Sequence, residues 1–374
     1  MKKIRSTVII MASLGVFLTG CSMNFKKEEQ VTQGSKKSTE NKIIPKYSIS
    51  DDYYKMVLPF KSESSKGIVN QLSTSKLNMN QFEMGLMRIA KDSFNTTDYF
   101  FQENQYLPKK TVERLVSNKL TDAQLADEEK KLNKKIDNIG LNPPVDSAQP
   151  AATQPYLSNI LEHDYFIKDR SGKLTLGGVV VGLAMNSAYT KEELLAQGKE
   201  MAGQILKLLQ KNEEVTTVPV IFSIFKQEPE TSLIPGSFIY KTKLETGSQE
   251  IGQWTSMNEE YVVFPSQAFT DNHADDAKKI DALTTDVRSK FPDYISVTGK
   301  GLYTDNKLYN LTIHVAAPYN GKAEVISLTQ VILQSIIDTF PKDISIEVSV
   351  GSEQNTEAII TREKDQDKPF VHFL

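Results

Sequence analysis

The 374-residue chain is poor in the residues that usually carry chemistry: one cysteine, one tryptophan and four histidines. A single thiol forbids an intramolecular disulfide and excludes a cysteine-rich zinc site. The histidines, His163, His273, His314 and His372, are scattered, and none forms an H-E-x-x-H pair. No G-x-S-x-G or Walker sequence occurs. Ser73-Thr74-Ser75-Lys76 has the S-x-x-K spacing of serine acyl-enzymes but no K-T-G partner. His273-Ala274-Asp275-Asp276 could offer metal ligands, although acidic residues at a helix start also serve the helix dipole. Gly177-Gly178 lacks the spacing of a nucleotide loop, which points to packing or a bulge. His314 alternates with Ile313 and Val315, which puts it on the solvent face of a strand. No catalytic residue, metal ligand or cofactor site is assigned from these patterns.

Strong charge of one sign is also missing. Lys2, Lys3 and Arg5 are three of the 44 basic residues, which leaves 41 against 47 acidic residues in the rest, a net of −6. That is no nucleic-acid footprint. Beyond residue 20 no apolar run approaches the roughly 20 residues needed by a spanning helix.

What is present begins at the first residues. Lys2, Lys3 and Arg5 form a positive segment, and Ser6 to Gly20 is uncharged and mostly apolar. Such a stretch is too short to span a bilayer, and its small terminal residues fit a cleavage site. Leu18-Thr19-Gly20-Cys21 resembles a bacterial lipobox. An ordinary signal peptide with an incidental cysteine is the plainer alternative. On the lipobox reading residues 1–20 are a signal peptide, and Cys21 becomes the acylated N-terminus carrying diacylglycerol and palmitate. Lipoprotein signal peptidase and an acyltransferase then act on the precursor. Each buried methylene contributes about 0.8 kcal/mol, and one chain alone anchors only reversibly. Two or three chains give a lasting anchor on the outer face of the cell membrane.

Residues 21–50 read as the lipidated cysteine and a flexible tether, rich in Lys, Ser, Glu, Gln and Thr and too poor in apolar residues to offset their ordering entropy. The remaining length suggests two domains, 51–230 and 231–374. In the first, the sequence predicts a strand over 53–58, a helix over 81–90, a strand over 98–101 and a helix over 110–118. Thr121 and Gln124 suit a capping box that opens a second helix, running to 138. Residues 143–155 form a Pro-rich loop. A hairpin turns at Asp169-Arg170-Ser171-Gly172 between strands 164–168 and 174–185. A helix over 191–210 precedes an alternating strand at 218–224, which Pro219 marks as an edge strand. The aromatic stretches 53–60 and 99–106 could line a groove for peptide or glycan, or simply fill a strand core.

The second half repeats this order. Phe238 to Leu244 echoes the strand at Tyr54, Glu260-Tyr261-Val262-Val263 echoes Asp98-Tyr99-Phe100-Phe101, and Asp293-Tyr294-Ile295 echoes Asp164-Tyr165-Phe166. Each half reads as a leading strand plus β-α-β-β-α-β. The predicted fold class is therefore α+β: two tandem repeats of ferredoxin-like, split βαβ type with antiparallel sheets, after a disordered tether. The apolar end, Pro369 to Leu374, is expected to dock on its own domain.

Leader, lipobox, tether and duplicated body together resemble the CamS-family sex-pheromone lipoproteins of Gram-positive bacteria. The resemblance implies a split function. A short apolar peptide from the end of the cleaved leader is released and sensed by a receptor in recipient cells, in conjugative plasmid transfer. The equivalent segment here is Leu14-Gly15-Val16-Phe17-Leu18-Thr19-Gly20, which carries two glycines where the family's peptide is Ala/Ile-rich. The mature body then reads as a non-enzymatic binding module. A transporter's solute-binding lipoprotein and a cell-envelope enzyme remain as rival classes. The first requires long parallel βαβ runs around a hinge, the second a pocket with convergent carboxylates or a buried histidine.

Overall fold

The computed structural model describes residues 28–33, 40–60, 65–145, 154–291, 296–318, 321–352 and 354–374. Cys21, the lipobox residues Leu18, Thr19 and Gly20, and the whole segment Leu14 to Gly20 lie outside the described residues, as does the Asp293 to Ile295 echo. Among the described residues are seven α-helices, and no helix is long and apolar enough to cross a membrane.

The stretch expected to be a disordered tether is partly ordered. β1 (Glu28–Gln33) and β2 (Glu40–Pro45) pair antiparallel, and β1 touches the main sheet through Thr32. Val31 and Ile44 are buried, and Ile43 exchanges two main-chain bonds with Leu58. A few apolar residues among lysines and glutamates suffice here because a preformed core supplies the other surface.

In chain order there follow β3 (Lys55–Met56), β4 (Ser75–Lys76), α1 (Met79–Lys91), β5 (Tyr99–Glu103), α2 (Lys109–Val116), α3 (Asp122–Leu132), β6 (Leu157–Lys168), β7 (Lys173–Met185), α4 (Lys191–Leu209), β8 (Val220–Lys226), β9 (Glu228–Pro229), β10 (Ser237–Leu244) and β11 (Thr255–Ser256). The expected capping box opens α3: Thr121 Oγ1 accepts from Gln124 N, and Gln124 Oε1 from Thr121 N. Thr190 and Glu193 form a second at α4. The first sheet has the order β11-β10-β8-β7-β6-β5-β3. The β6–β7 hairpin is its centre, and β7 runs parallel to β8 through the α4 crossover. From Leu176 onward β7 is an unbroken apolar run, because both its faces are covered there. Val179, Val181 and Leu183 pack with Met201 and Ile205 of α4 and Val112 of α2, whereas Val180 and Ala184 pack with Phe82 and Leu86 of α1.

The second sheet is built from β12 (Glu259–Phe264), β13 (Ser296–Thr304), β14 (Lys307–Ala316), β15 (Ser345–Gly351), β16 (Thr356–Arg362) and β17 (Phe370–Phe373), in that order. Its helices are α5 (Gln267–Asn272), α6 (Ala274–Lys290) and α7 (Lys322–Thr339). Leu283 and Val287 of α6 and Ile332 and Ile336 of α7 cover Ile313, Val315 and Val348 on one face. The apolar chain end docks as expected: β17 pairs with β16, and Val371 and Phe373 pack on the core.

The mixed α+β class holds, but the ferredoxin-like order does not. β5 lies antiparallel beside β6, and β12 antiparallel beside β13. In a split βαβ unit another strand would separate each pair. Each of these connections contains two helices, and a helix pair returns the chain to the end of the sheet it left. A single helix, α4 or α7, carries it to the opposite end, giving the parallel pairs β7–β8 and β14–β15. The leading-strand echo also fails, because β10 joins the far side of the first sheet, beside β8. This makes β8 an inner strand rather than the edge that Pro219 suggested. Pro219 precedes the strand, so its missing N–H breaks no ladder bond, and its carbonyl accepts from Val179 N.

Candidate binding groove

The groove stands over the start of β6. One wall is the segment 67–72, and the other is α2 with Ser117 and Asn118; together they enclose about 480 Å³. Three asparagines hold these walls. Asn159 Nδ2 donates to the carbonyls of Ser65, at 2.9 Å, and Ile68. Asn70 Nδ2 donates to Val116 O at 2.8 Å while its Oδ1 accepts from Leu72 N at 2.9 Å. Asn142 Nδ2 donates to Val116 O at 2.7 Å and to Leu157 O at 2.8 Å, and its Oδ1 accepts from Leu157 N. All three are buried. They satisfy loop and helix-end groups that have no regular ladder partner.

A wider polar layer follows at the carboxyl ends of the parallel strands β7 and β8. Ser158 donates to Gln227 at 2.6 Å and meets Ser73 at 3.0 Å, and Ser75 donates to Asn186 at 2.7 Å. Ligands of α/β sheets gather at such strand ends. The groove rim carries Lys109, Glu113 and the exposed Val69. One cation, one carboxylate, amides and aliphatic carbon suit a neutral ligand that donates and accepts hydrogen bonds.

The residues weighed from sequence fall elsewhere. Ser73 belongs to the polar layer, while Lys76 is exposed on β4. His163 is fully buried edge-on against Phe101, and burial, with Lys66 nearby, pushes its pKa down to about 3. Lys66 bridges Glu83 at 2.7 Å and Glu103 at 2.9 Å; burial raises the Glu103 carboxyl. His273 stacks on Tyr303 at 3.6 Å, and Asp276 pairs with Lys279 at 2.7 Å. Among the described residues no group of three His, Cys, Asp or Glu side chains could hold a metal ion. His314 is half-buried and bonded to Ser349 on the next strand at 2.6 Å. Gly177 is the extra residue of a bulge opposite Tyr165 and Phe166, and a Cβ on Gly178 would run into the Phe94 ring. Of the aromatic stretches, Tyr54 and Phe101 fill the core under α1. Sequence reading passed over Asn70, Asn142 and Asn159. The available signal was an asparagine inside an apolar run, as in Leu157-Ser158-Asn159-Ile160-Leu161.

Residues 60–368 match the family described as CamS sex pheromone cAM373 precursor. Among solved structures, the sex pheromone staph-cAM373 precursor is 32% identical, with 85% of this chain and 100% of that chain covered and a TM-score of 0.46. The C-terminal domain of the staph-cAM373 precursor from Staphylococcus aureus is 29% identical, covering 79% and 96%, with a TM-score of 0.68. The sex pheromone precursor from Lactobacillus salivarius subsp. salivarius UCC118 is 25% identical, covering 88% and 98%, with a TM-score of 0.72. The likeness of fold rests on the last two. Among curated proteins none matches this chain.

Proposed function

The chain belongs to the CamS sex pheromone cAM373 precursor family, and from that membership we propose that Leu14-Gly15-Val16-Phe17-Leu18-Thr19-Gly20 is released as a peptide pheromone while the rest stays on the cell surface through lipid on Cys21. The carrying observation is the family match, joined to an uncharged heptapeptide that ends directly before the lone cysteine. Such a peptide can skim a membrane and fill an apolar groove in a receptor. Mass spectrometry of spent medium tests it: the heptapeptide should accumulate as the leader is processed. A processed leader without the peptide would sink the idea. Growth with labelled palmitate tests the anchor, which predicts label on the mature protein and none after Cys21→Ser.

The body acts as a binding module rather than a catalyst. Its groove offers amides, one lysine, one glutamate and aliphatic carbon, a set suited to recognition of a neutral, hydrogen-bonding ligand. Antiparallel hairpins within both sheets count against a solute-binding transporter component, which would be wound from parallel βαβ units. A strain that keeps the leader but lacks residues 51–374 separates the two roles. Pheromone activity should persist, and any surface phenotype should disappear.

A further inference from the structure

β6 carries two acids on one face, Glu162 and Asp164, exposed to 1% and 0%. They lie beneath the segment that leaves β5. Asn104 there adopts a left-handed φ of 53° and turns the chain so that successive N–H groups point at the carboxyls. Gln105 N donates to Asp164 Oδ2 at 3.0 Å, Tyr106 N to Glu162 Oε1 at 2.8 Å, and Leu107 N to Glu162 Oε2. Consecutive N–H groups of this kind form an anion nest. The two carboxyls also touch each other within hydrogen-bonding reach, and Asp164 Oδ1 has no N–H or O–H donor.

Among the described residues no cation acts on either carboxyl to neutralise a second charge. On β5, Gln102 stands beside Asp164 and accepts from Gln33, while Glu103 adds a further carboxyl. On β7 the neighbours are Val179 and Val181. Lys109, Lys110, Glu113 and Arg114 of α2 are exposed, and the Tyr106 hydroxyl donates outward to Glu214 at 2.8 Å. His163 and Lys66 lie on the opposite face of the strand, with Phe101 and Glu103. Two ionised carboxyls in contact in a dry site cannot coexist at low cost.

We propose that Glu162 and Asp164 share one proton, and that this acid–carboxylate pair is a pH-sensitive latch holding the α2 wall of the groove. The nest stabilises a single negative charge. The retained proton bridges the pair and fills the open valence at Asp164 Oδ1. Losing it puts two charges on one nest, and the separation that relieves them lifts residues 105–107. α2 begins at Lys109, directly after Pro108, so that movement reaches the wall bearing Lys109, Glu113 and Val116. The opposite wall hangs from Asn159, which does not titrate. In keeping with the geometry, burial pushes Glu162 up to about 7 and Asp164 well above the usual carboxylate range. The latch stands whatever the groove binds.

Infrared difference spectroscopy and amide exchange on the full chain test it. At about pH 6 the wild type should show the carbonyl stretch of an unsolvated carboxylic acid, which fades as the pH rises to about 9. Over the same range, exchange at Gln105, Tyr106 and Leu107 should rise at least about tenfold beyond ordinary base catalysis, the equilibrium counterpart of about one pK unit of linkage. Glu162→Gln and Asp164→Asn should each remove both the band and the excess exchange. A wild type with no acid band at about pH 6, or a titrating band with no change at these three amides, overturns the proposal without any variant having to fold.

Discussion

Arg88 Nη2 lies 2.6 Å from Glu259 Oε1, tying α1 of the first layer to the first strand of the second sheet. The Glu259 side chain is 2% exposed, and its other oxygen accepts from Phe238 N. Tyr309 stacks over the guanidinium, and the Tyr261 hydroxyl donates to Gln81 alongside. Removing one member of such a pair strands the other in a dry contact, at about 3–5 kcal/mol. Glu259→Gln and Arg88→Met should each lower the urea midpoint accordingly. The double variant should lose less than the sum of the two, because neither charge is then left alone. Additive losses in a double-mutant cycle would show that the pair joins nothing.

Gly178 gives a second test, inside the first sheet. Phe94 lies flat where a side chain at this position would project, stacked on Tyr165 with ring centroids 5.0 Å apart. Gly178→Ala should destabilise by about 1–3 kcal/mol through overpacking. Shortening the ring in the background of Phe94→Leu should make the added methyl nearly neutral. Thermal denaturation of the four proteins reads this directly.

How far the sequence discloses this molecule depends on the range of the force involved. Hairpin β6–β7, helix α4 and the capping box at Thr121 follow from spacing within a few residues, and were legible. The sheet that β10 joins depends on partners far along the chain, so its local alternation could not place it. Val31 and Ile44 were hidden by the lysines and glutamates around them, although one apolar contact on a finished core is enough to order a strand. Glu162-His163-Asp164 stood in plain view inside an apolar strand, but read only as part of an Asp-Tyr echo. A polar triplet in such a run requires satisfied or neutralised groups, and that requirement is the signal that reading passed over. The asparagines under the groove carry the same lesson, since a buried amide bonds to main chain that sequence alone does not bring near.

Asn142 provides the test of the groove itself. Its side chain makes three main-chain bonds, and one of its acceptors, Val116 O, also receives Asn70. Asn142→Ala should cost about 2–4 kcal/mol, since buried Leu157 N and Leu157 O lose their partner. Asn142→Asp should be worse than Ala at neutral pH, because it replaces a donor with a buried charge. Urea titration with exchange at α2 amides measures both, and an Asp variant as stable as wild type would contradict the bonding described.

The pH dependence of stability follows from two opposed groups on one strand. Glu162, raised to about 7, is protonated in the folded chain over a range where the unfolded chain has already ionised it. Its contribution is complete below the unfolded value near 4.5 and is lost as pH rises through about 7. Asp164, raised by burial and by Glu162 beside it, shares that proton, so the loss belongs to the pair. His163 works in reverse: lowered to about 3 by burial, it stays neutral when folded, so its contribution is complete above the unfolded value of 6.5 and is lost as pH falls toward about 3. Between about 4.5 and 6.5 the two slopes oppose each other, and above that only the carboxyl slope remains. Stability measured by urea titration should therefore change little across the mildly acid range and fall on the alkaline side. Glu162→Gln should flatten the alkaline fall, and His163→Leu should flatten the acid one, each leaving the other limb in place. An alkaline limb that persists unchanged in both Glu162→Gln and Asp164→Asn would place its origin elsewhere in the chain.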